Sequence, residues 1–415
     1  MAGTLLTGVG TEAIRPGGVL VRGTSIIAVG SLPSVMAADR ARSAELVDLG
    51  AAATIMPGLV DSHVHLGFDG GPQPVERMQA ETDTEQVVLM LRGAALLLAV
   101  GVTTARDLGA RSFLDVTVRD AIDRGDVPGP RLVVAGRPLT AKGGHCWFMG
   151  GECESADGLR QMVRRHHEMR TDLIKVMSTG GFMTAGSAPW SVHFTADELT
   201  IVVKEASRLG MRVAAHAHGR EGIAHAVTAG VATLEHCSFT GPDGVFGSDF
   251  DPALADEIAA AGIYVCPTTN IHSLLMPERS EALGRVVADL YRRGVQIIAG
   301  TDAGIDNCPH DEYVIGLEAL VQAGLPMREV LEAATSRAAR ALGVDDRTGS
   351  IVPGKDADLI AVDGDPQANI SALRRLILVV ARGAEHVRAS RSAWPDRMPP
   401  DPEPRTDAGP AAQTG

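Results

Sequence analysis

The chain has 415 residues, 45% of them hydrophobic but only 3% aromatic, and a formal net charge of −13. That length leaves room for a large α/β barrel plus a smaller unit, with a core of Ala, Val, Leu and Ile, the residues of parallel strands and their covering helices. The acidic balance argues against nucleic acid and anionic membranes as partners and leaves a small-molecule substrate open.

Taken in chain order, Gly18 to Val21 and Ser25 to Val29 read as short strands separated by hairpin glycines. Similar patterning returns at Gly354 to Val362 and Leu376 to Val380. The two ends therefore predict one small β-domain, residues 1–55 with 346–390, that pairs its own edges. Residues 391–415, with a proline-rich run at 399–404, predict a disordered tail. Between the ends, short apolar runs alternate with helical patterns. The runs are 55–60, 102–105, 132–135, 173–176, 212–215, 233–234, 263–265 and 297–299. Helices are expected at 195–209, where Thr195 caps and Glu198 follows three residues on, at 251–261 and at 278–293. The alternation predicts an α/β fold with a closed (β/α)8 TIM barrel over 56–345; an open doubly wound sheet is the alternative. The apolar run 94–102 is too short to span a bilayer, and no signal-peptide pattern opens the chain. Five scattered cysteines without a CxxC spacing fit a reduced, cytoplasmic setting.

The most informative stretch is His63-Val64-His65, at the end of an apolar run. Strand side chains alternate faces, so two His residues two apart project together and make half of a divalent-metal site. Further groups fall at other expected strand ends: Lys175, His216, His236 and Asp302. In a (β/α)8 barrel such ends converge on one mouth, and an open sheet would not gather them. Lys175 read alone is a snorkelling lysine. Set among four His and one Asp, it is a desolvated amine able to take up carbon dioxide and become an oxygen ligand. Asp302 is either a helix cap or a ligand that also shuttles a proton. His145, in a glycine-rich loop, is either an exposed loop residue or a donor to a developing oxyanion. Cys146 and Cys237 each follow one of these His residues and read as small buried side chains.

These segments resemble the amidohydrolase superfamily, and within it the imidazolonepropionase-like and prolidase-like (Xaa-Pro dipeptidase-type) members. The matching pieces are PGLVDSHVHL, RDLG at 106–109, GGHC at 143–146 and KVMSTGG at 175–181. AAHAHG at 214–219, EHCS at 235–238, GTDAG at 300–304 and GSIVPGKDADLI at 349–360 complete the ordered set. The resemblance spans roughly residues 1–390 and implies a metal barrel carrying a β-sandwich built from both chain ends. It implies two divalent ions, zinc by preference. His63, His65 and Asp302 would hold the more buried one and His216 and His236 the other, with N6-carboxylated Lys175 and a nucleophilic hydroxide bridging both. It also implies that His145 meets the scissile carbonyl of a small amide substrate, and that the chain assembles as a homo-oligomer.

One position departs from the dipeptidase pattern: His218 stands where those relatives show a Tyr that helps bind the substrate carboxylate. A mononuclear cyclic amidohydrolase or deaminase is the alternative reading, but deaminase-like members carry a Glu where this chain has Gly219. A non-catalytic scaffold is a third reading, weakened because every ligand position is filled. Loops after strands three, four and seven reach a barrel mouth, so Trp147, Phe148, Phe182, Met183, Trp190 and Asn270 are expected to line it. The aromatic residues among them point to an apolar or aromatic acyl group.

Overall fold

The apolar run 55–60, expected as one strand, divides at Gly58 between two sheets in this computed structural model, which describes residues 1–9, 12–38 and 43–386. The tail expected at 391–415 and the end of the last β-segment, 387–390, lie outside the described residues. Strands β1 (Thr4–Leu5), β2 (Gly17–Arg22), β3 (Ser25–Ser31) and β4 (Ala53–Pro57) precede the division. The cause is local. Gly58 N–H donates to the Asp358 carbonyl at 3.0 Å, while the next amide, Leu59 N–H, donates to Gly101 at 2.9 Å. Consecutive amides thus serve different sheets, and a Cβ on Gly58 would lie 2.0 Å from Thr103 Oγ1.

After the division come β5 (Leu59–Val64), β6 (Val102–Asp107), β7 (Arg131–Val134), β8 (Leu173–Met177) and β9 (Arg212–Ala217). They are followed by β10 (Thr233–His236), β11 (Tyr264–Cys266) and β12 (Gln296–Ile297). All neighbours among these eight pair in parallel, in the order β5-β6-β7 and β8-β9-β10-β11-β12. Main-chain bonds join the two sheets at both edges. Asp172 N–H donates to Val134 and Leu139 N–H to Lys175, each at 2.8 Å. On the other side Ser62 N–H donates to Ala299 at 3.0 Å and Asp302 N–H to His63 at 2.7 Å. The architecture is a TIM-barrel-like α/β fold.

Helices alternate with the strands. Ala196–Arg208 begins at the expected capping box of Thr195 and Glu198. A second box, Thr82 with Glu85, starts Asp83–Ala99, which contains most of the apolar run 94–102. Asp251 caps Pro252–Ala260, and Pro277–Arg292 matches the last expected helix. None of the helices in the described residues is long and apolar enough to cross a membrane.

Strands from both ends of the chain share one sheet. Strands β13 (Leu359–Asp363), β14 (Leu376–Ala381) and β15 (Ala384–His386) join β1 and β4 in one sheet, in the order β1-β4-β13-β14-β15. Ile55 on β4 lies opposite Ala361 on β13 in antiparallel register. The β2-β3 hairpin shares a buried cluster with this sheet, through Ile26, Leu5, Ile55 and Leu359. Because Thr103 leaves no room for a side chain at residue 58, Gly58→Ala is expected to cost about 1–3 kcal/mol. Thermal denaturation should show a lowered midpoint, partly restored in Gly58→Ala/Thr103→Ala; an unchanged midpoint in the single variant would refute this packing.

Candidate metal centre

The His pair leaves β5 where its strand meets the segment after β12. His63 Nε2 lies 3.3 Å from His65 Nε2, and each nitrogen is 3.2 Å from Asp302 Oδ1. Donors so spaced form edges of a tetrahedron whose centre is ~2.0 Å from each, the usual zinc–nitrogen distance. His236, at the end of β10, completes a group of potential ligand atoms with His63 and Asp302. A second such group joins His216, His218 and His236. The His216 ring centroid is 4.6 Å from that of His236 and 4.6 Å from that of His145. Among the described residues, all the His, Lys and Asp side chains singled out by the sequence line one cavity of about 510 Å³, together with Phe182, Met183 and Asn270.

Three other expected lining residues stand elsewhere. Trp147, Phe148 and Trp190 do not line this cavity. Trp147 is exposed and packs edge-on against Phe148, which contacts Phe68 in turn. Asn270 is buried with its polar atoms engaged: Nδ2 donates to the Thr301 carbonyl at 2.6 Å, and Oδ1 accepts from the His272 amide at 2.9 Å. Phe246 and Arg279 line the cavity but were not singled out, because their approach depends on tertiary packing of a loop and a helix.

The inward-facing groups are predominantly lone pairs. Burial lowers the pKa values of His65, His145, His216, His218 and His236, that of His145 to about 3, so their rings are neutral at physiological pH. Burial also pulls the Lys175 amine down to about 8, although Glu235 and Asp302 act to raise it. Lys175 Nζ is fully enclosed and has no hydrogen-bond partner; His145 Nδ1 and His65 Nδ1 are likewise unpartnered. Burial works to raise the Asp302 carboxyl, yet His63 and His65 together hold it well below the usual range. Neutral imidazoles around one carboxylate, with an orphaned amine, make a donor set that fits divalent cations.

A surrounding layer, not anticipated from sequence, orients these rings. His63 Nδ1 is 2.9 Å from Glu235 Oε2. Glu235 in turn accepts from Arg106 Nη2 at 2.7 Å, and Arg106 Nε donates to the Ser62 carbonyl at 2.6 Å. Burial would raise the Glu235 carboxyl, but the Arg106 guanidinium and the bond from His63 hold it at about 2. The ionised carboxylate therefore keeps the proton of His63 on Nδ1 and leaves Nε2 free to ligate. His216 Nε2 lies 2.8 Å from the Gly180 carbonyl and His236 Nδ1 lies 2.9 Å from Thr268 Oγ1, which frees their other nitrogens. Asp61, whose pKa burial pushes up to about 7, accepts from Thr301 Oγ1 at 2.6 Å and anchors the turn bearing Asp302. His236, Thr268 and Asp302 all adopt positive φ (67°, 53° and 62°) at the ends of β10, β11 and β12. Such strain in non-glycine residues persists only where the surroundings enforce it.

His145 reaches the cavity because Gly181 has no side chain: a Cβ there would lie 2.4 Å from His145 Nε2. His218 stacks on His236 with centroids 4.5 Å apart, and its Nδ1 is bonded to Ser238 Oγ at 2.7 Å. The cysteines offer no nucleophile, since all five are free and buried and burial raises the Cys146 thiol to about 12. If Glu235 fixes the His63 tautomer, Glu235→Gln should weaken zinc retention by about 10- to 100-fold. Competition with a chromogenic chelator would measure this; undiminished affinity would show that the carboxylate does not orient the ligand.

Comparison with known proteins agrees with this geometry. Ochratoxinase from Aspergillus niger is 27% identical over 359 residues, covering 77% of this chain and 72% of that protein. Imidazolonepropionase from Mesorhizobium japonicum is 25% identical over 403 residues, 88% of this chain and 91% of that one. A solved Xaa-Pro dipeptidase with methionine bound in its active site superposes with a TM-score of 0.83 at 27% identity, covering 93% of this chain and 98% of that one. The model of the amidohydrolase family matches residues 54–385. The chain belongs to the amidohydrolase family and is an enzyme of metal-dependent amide hydrolysis.

Proposed function

We propose that the chain hydrolyses the C–N bond of dipeptides or N-acyl amino acids at a binuclear centre. The scaffold we infer is a closed (β/α)8 barrel over 56–345 with a β-sandwich built from 1–55 and 346–390. The main-chain bonds of His63 and Ser62 to the segment after β12 support closure. The sheet shared by β4 and β13, with the β2-β3 hairpin against it, supports the sandwich.

The observation that carries the reading is the enclosed, unpartnered Lys175 amine in the cavity that both imidazole groups line. With its pKa lowered to about 8, a useful fraction is neutral near pH 7. Its nitrogen can add to the carbon of carbon dioxide and release one proton, giving an anionic carbamate with two oxygen donors. His63, His65 and Asp302 would hold one ion, His216 and His236 the other, and the carbamate both. Divalent ions there, zinc by its fit to imidazole, would supply Lewis acidity and lower the pKa of a water.

The protein's own groups do the rest. Asp302, ionised and oriented by two imidazoles, accepts a proton from the attacking water and returns it to the departing amine. His145, neutral and buried in the cavity lining, donates a hydrogen bond to the oxygen that gains charge. The apolar walls, including Phe182 and Met183, exclude water from the acyl group. Free buried thiols agree with a cytoplasmic setting.

Methionine in the related dipeptidase site supports an amino-acid product here. A panel of dipeptides, N-acyl amino acids and aryl amides tests the reading. Turnover should vanish with chelator, return with zinc, and fall by about 100- to 10,000-fold in kcat for Asp302→Asn. Chelator-resistant turnover, or an Asp302→Asn variant as fast as the parent, would contradict it.

A further inference from the structure

Arg279 lines the same cavity, near the start of the helix Pro277–Arg292. Its guanidinium carbon stands 4.1 Å from the centre of the Phe182 ring and 4.3 Å from that of Phe246. The two rings meet edge to face, 5.8 Å apart, and close on the cation as a pair of jaws. Among the described residues no carboxylate or carbonyl engages this guanidinium, and burial, unopposed by an anion, acts to lower its pKa. By contrast, the buried Arg106 is paired with Glu235 and Arg119 with Asp172.

The jaws lead directly to the proposed centre. Phe182 contacts the His218 ring edge to face at 5.0 Å, Phe246 lies parallel to it at 6.2 Å, and His218 stacks on His236. A partly desolvated guanidinium facing an apolar cavity has its planar fork of donors unused. The group that fits such a fork is a carboxylate, bound by two parallel N–H···O bonds that strengthen as water is excluded. The aromatic faces already hold the cation in place, so little side-chain freedom is lost when the anion arrives.

We infer that Arg279, clamped between Phe182 and Phe246, binds a carboxylate of the substrate and makes the enzyme selective for amides of amino acids over neutral amides. The inference rests on the amide-hydrolase reading above and names the substrate class of that site. Arg279 touches no reacting atom in this scheme; it sets specificity.

The test uses N-acyl amino acids, each paired with the same acyl amide of the corresponding decarboxylated amine, on zinc-loaded parent, Arg279→Met and Arg279→Lys. The parent should prefer the acid of each pair. Arg279→Met should lose roughly 30- to 100-fold in kcat/KM on the acid, mostly through KM, and stay within about threefold on the neutral amide. Arg279→Lys should recover part of the loss. Equal losses on both members, or none, would overturn the inference while leaving amide hydrolysis standing. If the parent turns over neither member, the functional reading fails, and calorimetry with the same intact pairs decides this point separately. Tighter binding of the acid that disappears in Arg279→Met supports the inference; equal binding of acid and neutral amide by the parent overturns it.

Discussion

Desolvated lone pairs turned toward one another are the constraint on which the rest of the structure depends. Seven imidazoles, an unpartnered amine and the carboxylates of Asp302 and Asp306 share a single cavity. Burial keeps five of those rings neutral, and close contacts such as the 3.3 Å between His63 Nε2 and His65 Nε2 crowd ring nitrogens together. Such a cluster is unfavourable on its own and becomes favourable once cations occupy its centre, which is why metal and fold are linked in sites of this kind. The proposed function follows from that linkage rather than from any one ligand.

The protein holds this arrangement from behind. The chain Arg106–Glu235–His63 ties β5, β6 and β10 together through buried side chains and fixes a tautomer. Asp61 and Thr301 hold the turn that presents Asp302. Positive φ at three successive strand ends shows that the backbone itself is shaped to turn these side chains inward. Replacing a ligand removes a donor, whereas replacing one of the supporting residues loosens several donors together. The two classes should therefore differ in how far metal supplied in excess rescues them.

Much of the fold and the clustering was legible because it rests on local rules. Period-2 geometry puts His63 and His65 on one face, and strand–helix alternation brings distant strand ends to one mouth. The division at Gly58 was missed although Pro57-Gly58 interrupts the apolar run 55–60 and is itself a break signal; the steric contact that requires Gly58, from Thr103, comes from a distant strand. Glu235 was equally hidden, since a Glu beside a His gives no sign of the buried Arg106 that keeps it ionised. Loop position after strands three and four placed Trp147, Phe148 and Trp190 at the mouth, but a place in a loop does not fix where a side chain points, and none of the three lines the cavity. Phe246 and Arg279 do line it, from a loop and a helix whose approach is decided by packing alone.

Lys175 gives the most direct measurement of the central claim, because the proposed centre uses its amine as a carbamate shared by two ions. Metal content should be determined after reconstitution with zinc and bicarbonate, for the parent and for Lys175→Ala. The account predicts about two equivalents per chain in the parent and about one or fewer in the variant. About one equivalent in both, indifferent to bicarbonate, would contradict it.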